Sequence, residues 1–208
     1  MNLDSPSRSR VQLRQRLRAE TQAAILAAAE GVFAERGLHR ARMESIAARA
    51  GVAVGTLYNH FQDRDALLSA LVRSRRKALL DRVDQALAGA EGAAFEDELA
   101  AFLAALFGHW VDHAGLLTAL FHADQLGRPT PGEGRTGRVS DELARRAERV
   151  LRRGVDEGRL RAEGSEDYPA LLLGMARGLL VQGAGARRAV DGGAPARVMR
   201  MFLRGAGS

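Results

Sequence analysis

The chain has 208 residues, with 31 Lys+Arg against 25 Asp+Glu, a formal net charge of +6 and no cysteine. That length holds one small and one medium domain with a sizeable core, and 46% hydrophobic with 27% charged residues is a globular rather than a disordered composition. The lack of cysteine excludes disulfides, thiolate metal sites and cysteine nucleophiles and fits a reducing cytoplasm; the most apolar stretch, residues 171–181, is short and interrupted by Arg177, so no membrane span is expected.

Charge is uneven along the chain. Residues 1–80 hold 14 Lys+Arg against 7 Asp+Glu, whereas residues 81–208 hold 17 against 18. A basic first part suits a protein that neutralises phosphates at one end, although a solvated basic surface gives the same pattern. Residues 1–17 contain Ser5, Pro6, Ser7 and Ser9 among arginines and read as a disordered basic arm. Together with Arg18, arginines 8, 10, 14 and 16 could reach the DNA backbone or minor groove, stay solvated, or extend the first helix. No apolar core marks the segment as a secretion signal. A helix then runs to about Arg36, with Ile25, Ala29, Val32 and Phe33 as its buried stripe and Gly37 as its stop.

The stretch from Glu44 to Phe61, ESIAARAGVAVGTLYNHF, reads as two short helices joined at Gly51. Ile46, Ala47 and Ala50 form one apolar face, and Leu57 with Phe61 forms the other. Ala47 permits close helix approach, and Gly51 supplies the left-handed backbone that ends the first helix. This is a helix-turn-helix pattern. With Leu57 inward, Gly55, Thr56, Tyr58 and Asn59 point outward and His60 lies on a flank. Hydroxyls and an imidazole can hold phosphate oxygens, an amide can pair with a base edge, and a glycine admits close backbone approach.

Residues 24–37 and 46–68, the latter IAARAGVAVGTLYNHFQDRDALL, resemble the N-terminal DNA-binding domain of the tetracycline-repressor (TetR) family of bacterial transcription regulators. The resemblance covers roughly the first third of the chain; beyond it, only the helical layout is similar. It implies an all-α protein of about nine helices: a three-helix helix-turn-helix domain over residues 18–64, and a larger ligand-binding and dimerisation domain over 65–208. It also implies a homodimer on a palindromic operator of double-stranded DNA, usually as a repressor released by a small molecule, in the cytoplasm at the nucleoid. The DNA-binding residues it implies are Arg42, Val54, Gly55, Thr56, Tyr58, Asn59, His60 and Arg64. Two positions depart from the family pattern, Arg42 standing where a capping Thr is usual and Ala53 where a Ser is usual. Each lost hydroxyl cap costs about 1 kcal/mol, while Arg42 can replace a phosphate contact with a charged one. Arg64 stands where the family has a phosphate-contacting Lys, just after Asp63, a good N-cap.

The next helix carries Ala66, Leu67, Ala70, Leu71, Leu79, Leu80, Val83 and Leu87 as its stripe, with Arg73, Arg75, Arg76 and Lys77 read as a solvated face in preference to a DNA contact; Lys77 is the only lysine in the chain. After a break at Gly89–Gly92, helices are predicted over 95–113 and 116–125. A Gly- and Pro-rich loop follows at 127–137, then helices from Ser140 to near Gly158, from near Ser165 to about Arg188, and from near Pro195. Strands are not predicted anywhere. Phe102, Leu106, Trp110, Phe121, Met175 and Leu179, with His109, His113, His122 and Gln125 as polar points, could line an apolar ligand cavity or fill a solid core. Gly174 and Gly178, one turn apart, with Met199 and Phe202, are the dimer interface that the resemblance implies, unless the glycines only seat their helix against its own domain. His109 and His113 are four apart with Asp112 between them, but no third ligand or His-Glu-x-x-His motif accompanies them, so neither metal nor cofactor is expected. Nothing resembles a nucleophile elbow or phosphate loop, so catalytic residues are not expected. The competing reading is an all-α enzyme or small-molecule carrier that happens to contain a helix-turn-helix-like pair, which would have no use for exposed Tyr58, Asn59 and Arg64.

Overall fold

A computed structural model describes residues 6–125, 136–185 and 192–207. The expected loop at 127–137 and the predicted helix end near Arg188 fall largely or wholly outside these residues. Among the described residues there are nine α-helices, one 3-10 turn and no strand, only an isolated bridge between Leu160 and Gly207. The chain divides into two compact units, Met1–Val72 and Arg73–Ser208, so the division falls eight residues later than the sequence placed it.

The first unit contains α1 (Pro6–Arg36), α2 (Met43–Ala50), α3 (Val54–His60) and the start of α4 (Arg64–Gly89). Helix α1 corrects one expectation: residues 6–17 are helical, not disordered. Arg, Leu and Gln are good helix formers, and the proline sits at the first helical position, where its missing N–H costs nothing. Ile25, Ala29, Val32 and Phe33 are buried as the stripe predicts, and α2 adds Met43, Ile46 and Ala47. Gly51 ends α2 at φ 68°, with its N–H donating back to the carbonyls of Ala47 and Ala48. At that φ a Cβ is strained, so the turn depends on glycine. Asp63 Oδ1 accepts the N–H of Ala66 at 2.7 Å, the cap expected for α4. Leu67, Leu68 and Leu71 anchor this first part of α4.

In the second unit, α4 is followed by α5 (Phe95–Asp112), α6 (Ala114–Gln125), α7 (Thr136–Asp156), a 3-10 turn at Ser165–Asp167, α8 (Tyr168–Gly185) and α9 (Ala194–Ala206). Helix α7 begins four residues before the predicted Ser140, and α8 begins at Tyr168 because the 3-10 turn takes the first three residues of its expected span. Phe95, Leu99, Phe102 and Leu103 of α5 are fully buried and meet Ala147, Val150, Leu172, Val198 and Phe202 from α7, α8 and α9. At Gly154 of α7 an added Cβ would lie 2.6 Å from Phe95 Cε2, so glycine sets how closely α7 approaches α5. Arginines tie the periphery. Arg146 holds Asp84 with two 2.7 Å bonds, and this keeps the Asp84 carboxyl below the usual range. Arg76 meets Glu142 at 2.7 Å, and Arg153 meets Glu98 at 3.0 Å. Of the basic cluster at 73–77, Arg76 is thereby tied inside the unit, and Lys77 pairs with Asp81 one turn on at 2.5 Å.

Phe202 was expected at the dimer interface, and the structure corrects this. It is 4% exposed and meets the Tyr168 ring edge-on at 5.6 Å, so it belongs to the unit's own core. The Tyr168 hydroxyl donates to the Arg161 carbonyl at 2.9 Å, which fixes the ring that Phe202 packs on.

Candidate functional site

Helix α3 buries one side chain, Leu57, and presents the rest. Tyr58 is 46% and Val54 38% exposed, Gly55 and Asn59 are exposed, and Thr56 and His60 are half-buried. Helical spacing placed Gly55, Tyr58 and Asn59 outward and His60 on a flank, as found, but Thr56, also read as outward, is half-buried; α3 carries no acidic residue. Its N-cap, Ala53, makes no side-chain bond to the helix end, so the first N–H groups of α3 are left without a hydroxyl cap. Arg42, the N-cap of α2, is exposed and likewise makes no cap bond, so its guanidinium remains available to a ligand. The sequence did not reveal how Arg64 is held. Its Nη1 donates to the His39 carbonyl at 3.2 Å and its Nη2 to Asp65 Oδ1 at 3.4 Å, which braces the turn before α2 while leaving the side chain half-exposed. A guanidinium has five N–H donors, so these bonds still allow a phosphate contact.

The roles that the resemblance implies for these residues separate positioning from specificity. Arg64→Ala is expected to weaken binding to all DNA sequences alike and to flatten the salt dependence by about one unit of slope. Asn59→Ala should instead relax preference at one base position, at a cost of about 1–3 kcal/mol of discrimination. An Arg64→Ala protein with unchanged affinity and salt slope would remove Arg64 from the contact set.

The predicted cavity residues lie in the second unit. Phe102, Leu106 and His109 are buried in the core, while Trp110, Met175 and Leu179 are partly buried and pack against it. His113 is half-buried with its ring centroid 4.5 Å from that of His109; the side chains of Phe121, His122 and Gln125 lie outside the described residues. An open groove of about 580 Å³ runs along α7, walled by charged side chains, five of them arginines. Among the described residues, no group of three or more His, Asp or Glu side chains could hold a metal ion. On α8, Gly174 and Gly178 are exposed, and an added Cβ at either would meet nothing within 4 Å. Leu171, 55% exposed and three residues before Gly174, continues their stripe, and Met201 of α9 is 65% exposed. Both were missed, although the spacing 171, 174, 178 is helical and legible.

His109 is the only buried polar or charged side chain among the described residues. Burial, then the positive charges of His113, Arg82 and Arg75, push its pKa down to about 4, against the weaker pull of Asp112, which itself pairs with Arg82 at 2.6 Å. The imidazole is therefore neutral in the fold, while the unfolded chain protonates near 6.5. Its stabilising contribution is full above about pH 6.5 and is lost as pH falls toward about 4, because there the unfolded state binds more protons. Urea midpoints measured across that window should fall more steeply for the wild type than for His109→Gln. Parallel curves would show that His109 is already free to protonate.

Residues 25–71 match the family described as bacterial regulatory proteins, tetR family. The chain is 35% identical over 69 residues to the HTH-type transcriptional regulator UidR of Escherichia coli (strain K12), a stretch covering 33% of this chain and 35% of that protein. It is 48% identical over 58 residues to the HTH-type transcriptional repressor BepR of Brucella suis biovar 1 (strain 1330), covering 27% of this chain and 28% of that one. Both alignments thus span about a third of each relative. Across nearly the whole chain, the fold is that of the transcriptional regulator FadR from Bacillus subtilis, solved in complex with stearoyl-CoA. The TM-score is 0.72 at 19% identity, over 88% of this chain and 98% of that one.

Proposed function

From the tetR-family N-terminal domain carried by residues 25–71, we propose that the chain is a homodimeric DNA-binding regulator of transcription. More specifically, it is a cytoplasmic repressor that leaves a palindromic operator when a small, largely apolar ligand enters the second unit. The observation that carries the reading is α3: a short helix pinned by Leu57 whose acid-free outer face offers Gly55, Tyr58 and Asn59 beside exposed Arg42. An enzyme or carrier would have no need of that face. Support for a dimer comes from the open apolar stripe Leu171, Gly174, Gly178 with Met201, a surface that a second copy could cover. Support for an apolar ligand comes from the aromatic and aliphatic side chains that α5 and α8 contribute to the second unit, and from the stearoyl-CoA bound to the structurally similar FadR.

Selection of bound sequences from a random DNA pool tests the reading. It should return an inverted repeat whose half-sites lie one helical turn or more apart, bound by a protein that light scattering shows to be a dimer. A pool that stays random, or a monomer at micromolar concentration, would overturn it. With the operator known, Trp110 emission and operator affinity should respond together to an effective ligand, because by linkage DNA must weaken the ligand by the same factor that the ligand weakens DNA.

A further inference from the structure

The helix-turn-helix of this chain is electrically neutral. Residues 21–72 contain five arginines (36, 40, 42, 49 and 64) and five acids (30, 35, 44, 63 and 65). Arg49 is spent on Glu35 at 2.5 Å and Arg64 partly on Asp65. Yet affinity for DNA rests largely on phosphate neutralisation. The missing charge lies just upstream, where residues 10–19 hold four arginines and no acid.

That segment is folded without being buried. Helix α1 starts at Pro6, every residue from Arg10 to Glu20 is exposed, and its first buried residue is Ile25. The exposed part from Arg10 to Glu20 is about 16 Å long at 1.5 Å per residue. At about 100° per residue, Arg10, Arg14 and Arg18 fall within about 80° of one another, on the same side as Ile25, Ala29 and Val32. Those three are buried, and α1 packs on α2. The arginine row therefore continues the side of α1 on which the helix-turn-helix sits, whereas Arg16 points away. Like charges one turn apart repel and disfavour a helix, and none of these arginines makes an ion pair with a described residue. A row of anions would relieve that repulsion.

We propose that the exposed N-terminal turns of α1 are a second DNA-contacting element, laying Arg10, Arg14 and Arg18 along the phosphates that flank the half-site held by α3. This rests on the DNA-binding reading above and adds to it the source of the affinity. The contact is with backbone, so it strengthens binding to every sequence alike.

The triple variant Arg10→Gln, Arg14→Gln, Arg18→Gln keeps a helix-forming side chain at each position and removes the charge. On the selected operator, titrated between about 50 and 200 mM salt, the slope of log affinity against log salt should fall by about 2.7 units for each protomer bound, at about 0.9 per phosphate. Hydroxyl-radical protection beyond the inverted repeat should vanish while the preferred sequence stays the same, and Arg16→Gln should behave as the wild type. An unchanged slope in the triple variant, alongside an Asn59→Ala protein that loses base preference, would overturn this inference and leave the DNA-binding reading standing. Failure of the wild type to select any DNA would end both. Arginine-dependent binding to phosphatidylserine vesicles, with the DNA slope intact, would assign the helix to a membrane surface and overturn the proposal. Circular dichroism of the triple variant must match the wild type; loss of helix confined to these turns, with the slope preserved, also counts against it.

Discussion

Leu57→Ala will destabilise the first unit by about 3 kcal/mol and abolish DNA binding while leaving the transition reported by Trp110 in place. Leucine-to-alanine changes at fully buried sites cost about 2–5 kcal/mol, through lost transfer energy and the cavity left behind. Leu57 is 0% exposed and is the one buried residue of α3. A helix of seven residues has no stability of its own, so it holds its orientation through that side chain and through Phe61, which follows it. The chain's only tryptophan lies in the other unit, so emission and far-UV dichroism should separate during urea denaturation. Coincident shifts of both signals would mean that the two units unfold as one.

A comparable loss is expected from Gly154→Val in the second unit. The new Cβ would lie 2.6 and 2.7 Å from two ring carbons of Phe95 and 3.0 Å from Leu160 Cδ1, distances at which something must move. Phe95 is fully buried and cannot swing out, so the strain passes to the contact between α5 and α7. Overpacking of this kind costs about 1–3 kcal/mol. At a protein size of about 200 residues, that lowers Tm by roughly 2–4 °C per kcal/mol. Shortening the opposing side chain in Gly154→Val/Phe95→Leu should recover part of the loss, giving a favourable coupling between the two sites. If the single variant melts with the wild type, α7 and α5 are not packed as described.

What the sequence made legible follows from what local physics decides. The stop at Gly51, the cap at Asp63 and the inward face of Leu57 each depend on residues within one or two turns, and each was readable. The outward positions of Gly55, Tyr58 and Asn59 on α3 followed from the same period, whereas Thr56, read as outward by that period, is half-buried. Partners distant in sequence were not readable. Phe202 lies on an apolar face, and helical spacing cannot tell whether such a face meets its own chain or a second copy; the Tyr168 ring, 34 positions earlier, decides it. Arg64 was assigned to DNA alone because its bond to the His39 carbonyl crosses 25 positions. The arm at 6–17 was misread for a different reason. Its serines and proline suggested disorder, but they precede a run of Arg, Gln and Leu that propagates the helix starting behind them. The early start of α7 was local as well: Thr136, of a residue type favoured at helix N-termini, stands where the helix begins.

The arginine bias of this chain, set beside the continuity of α4, turns one residue into a clock. Lys77 is the only lysine; its side chain is 77% exposed, and it sits inside α4 five residues past the boundary between the units. A lysine-specific protease has this single bond to cut, and an α-helix must open locally before it can enter a protease's cleft. The rate of appearance of two fragments, residues 1–77 and 78–208, therefore measures how often the shared helix melts at its middle. Whatever stiffens α4, whether operator or ligand, should be visible as slower scission on a gel, without any label on the protein.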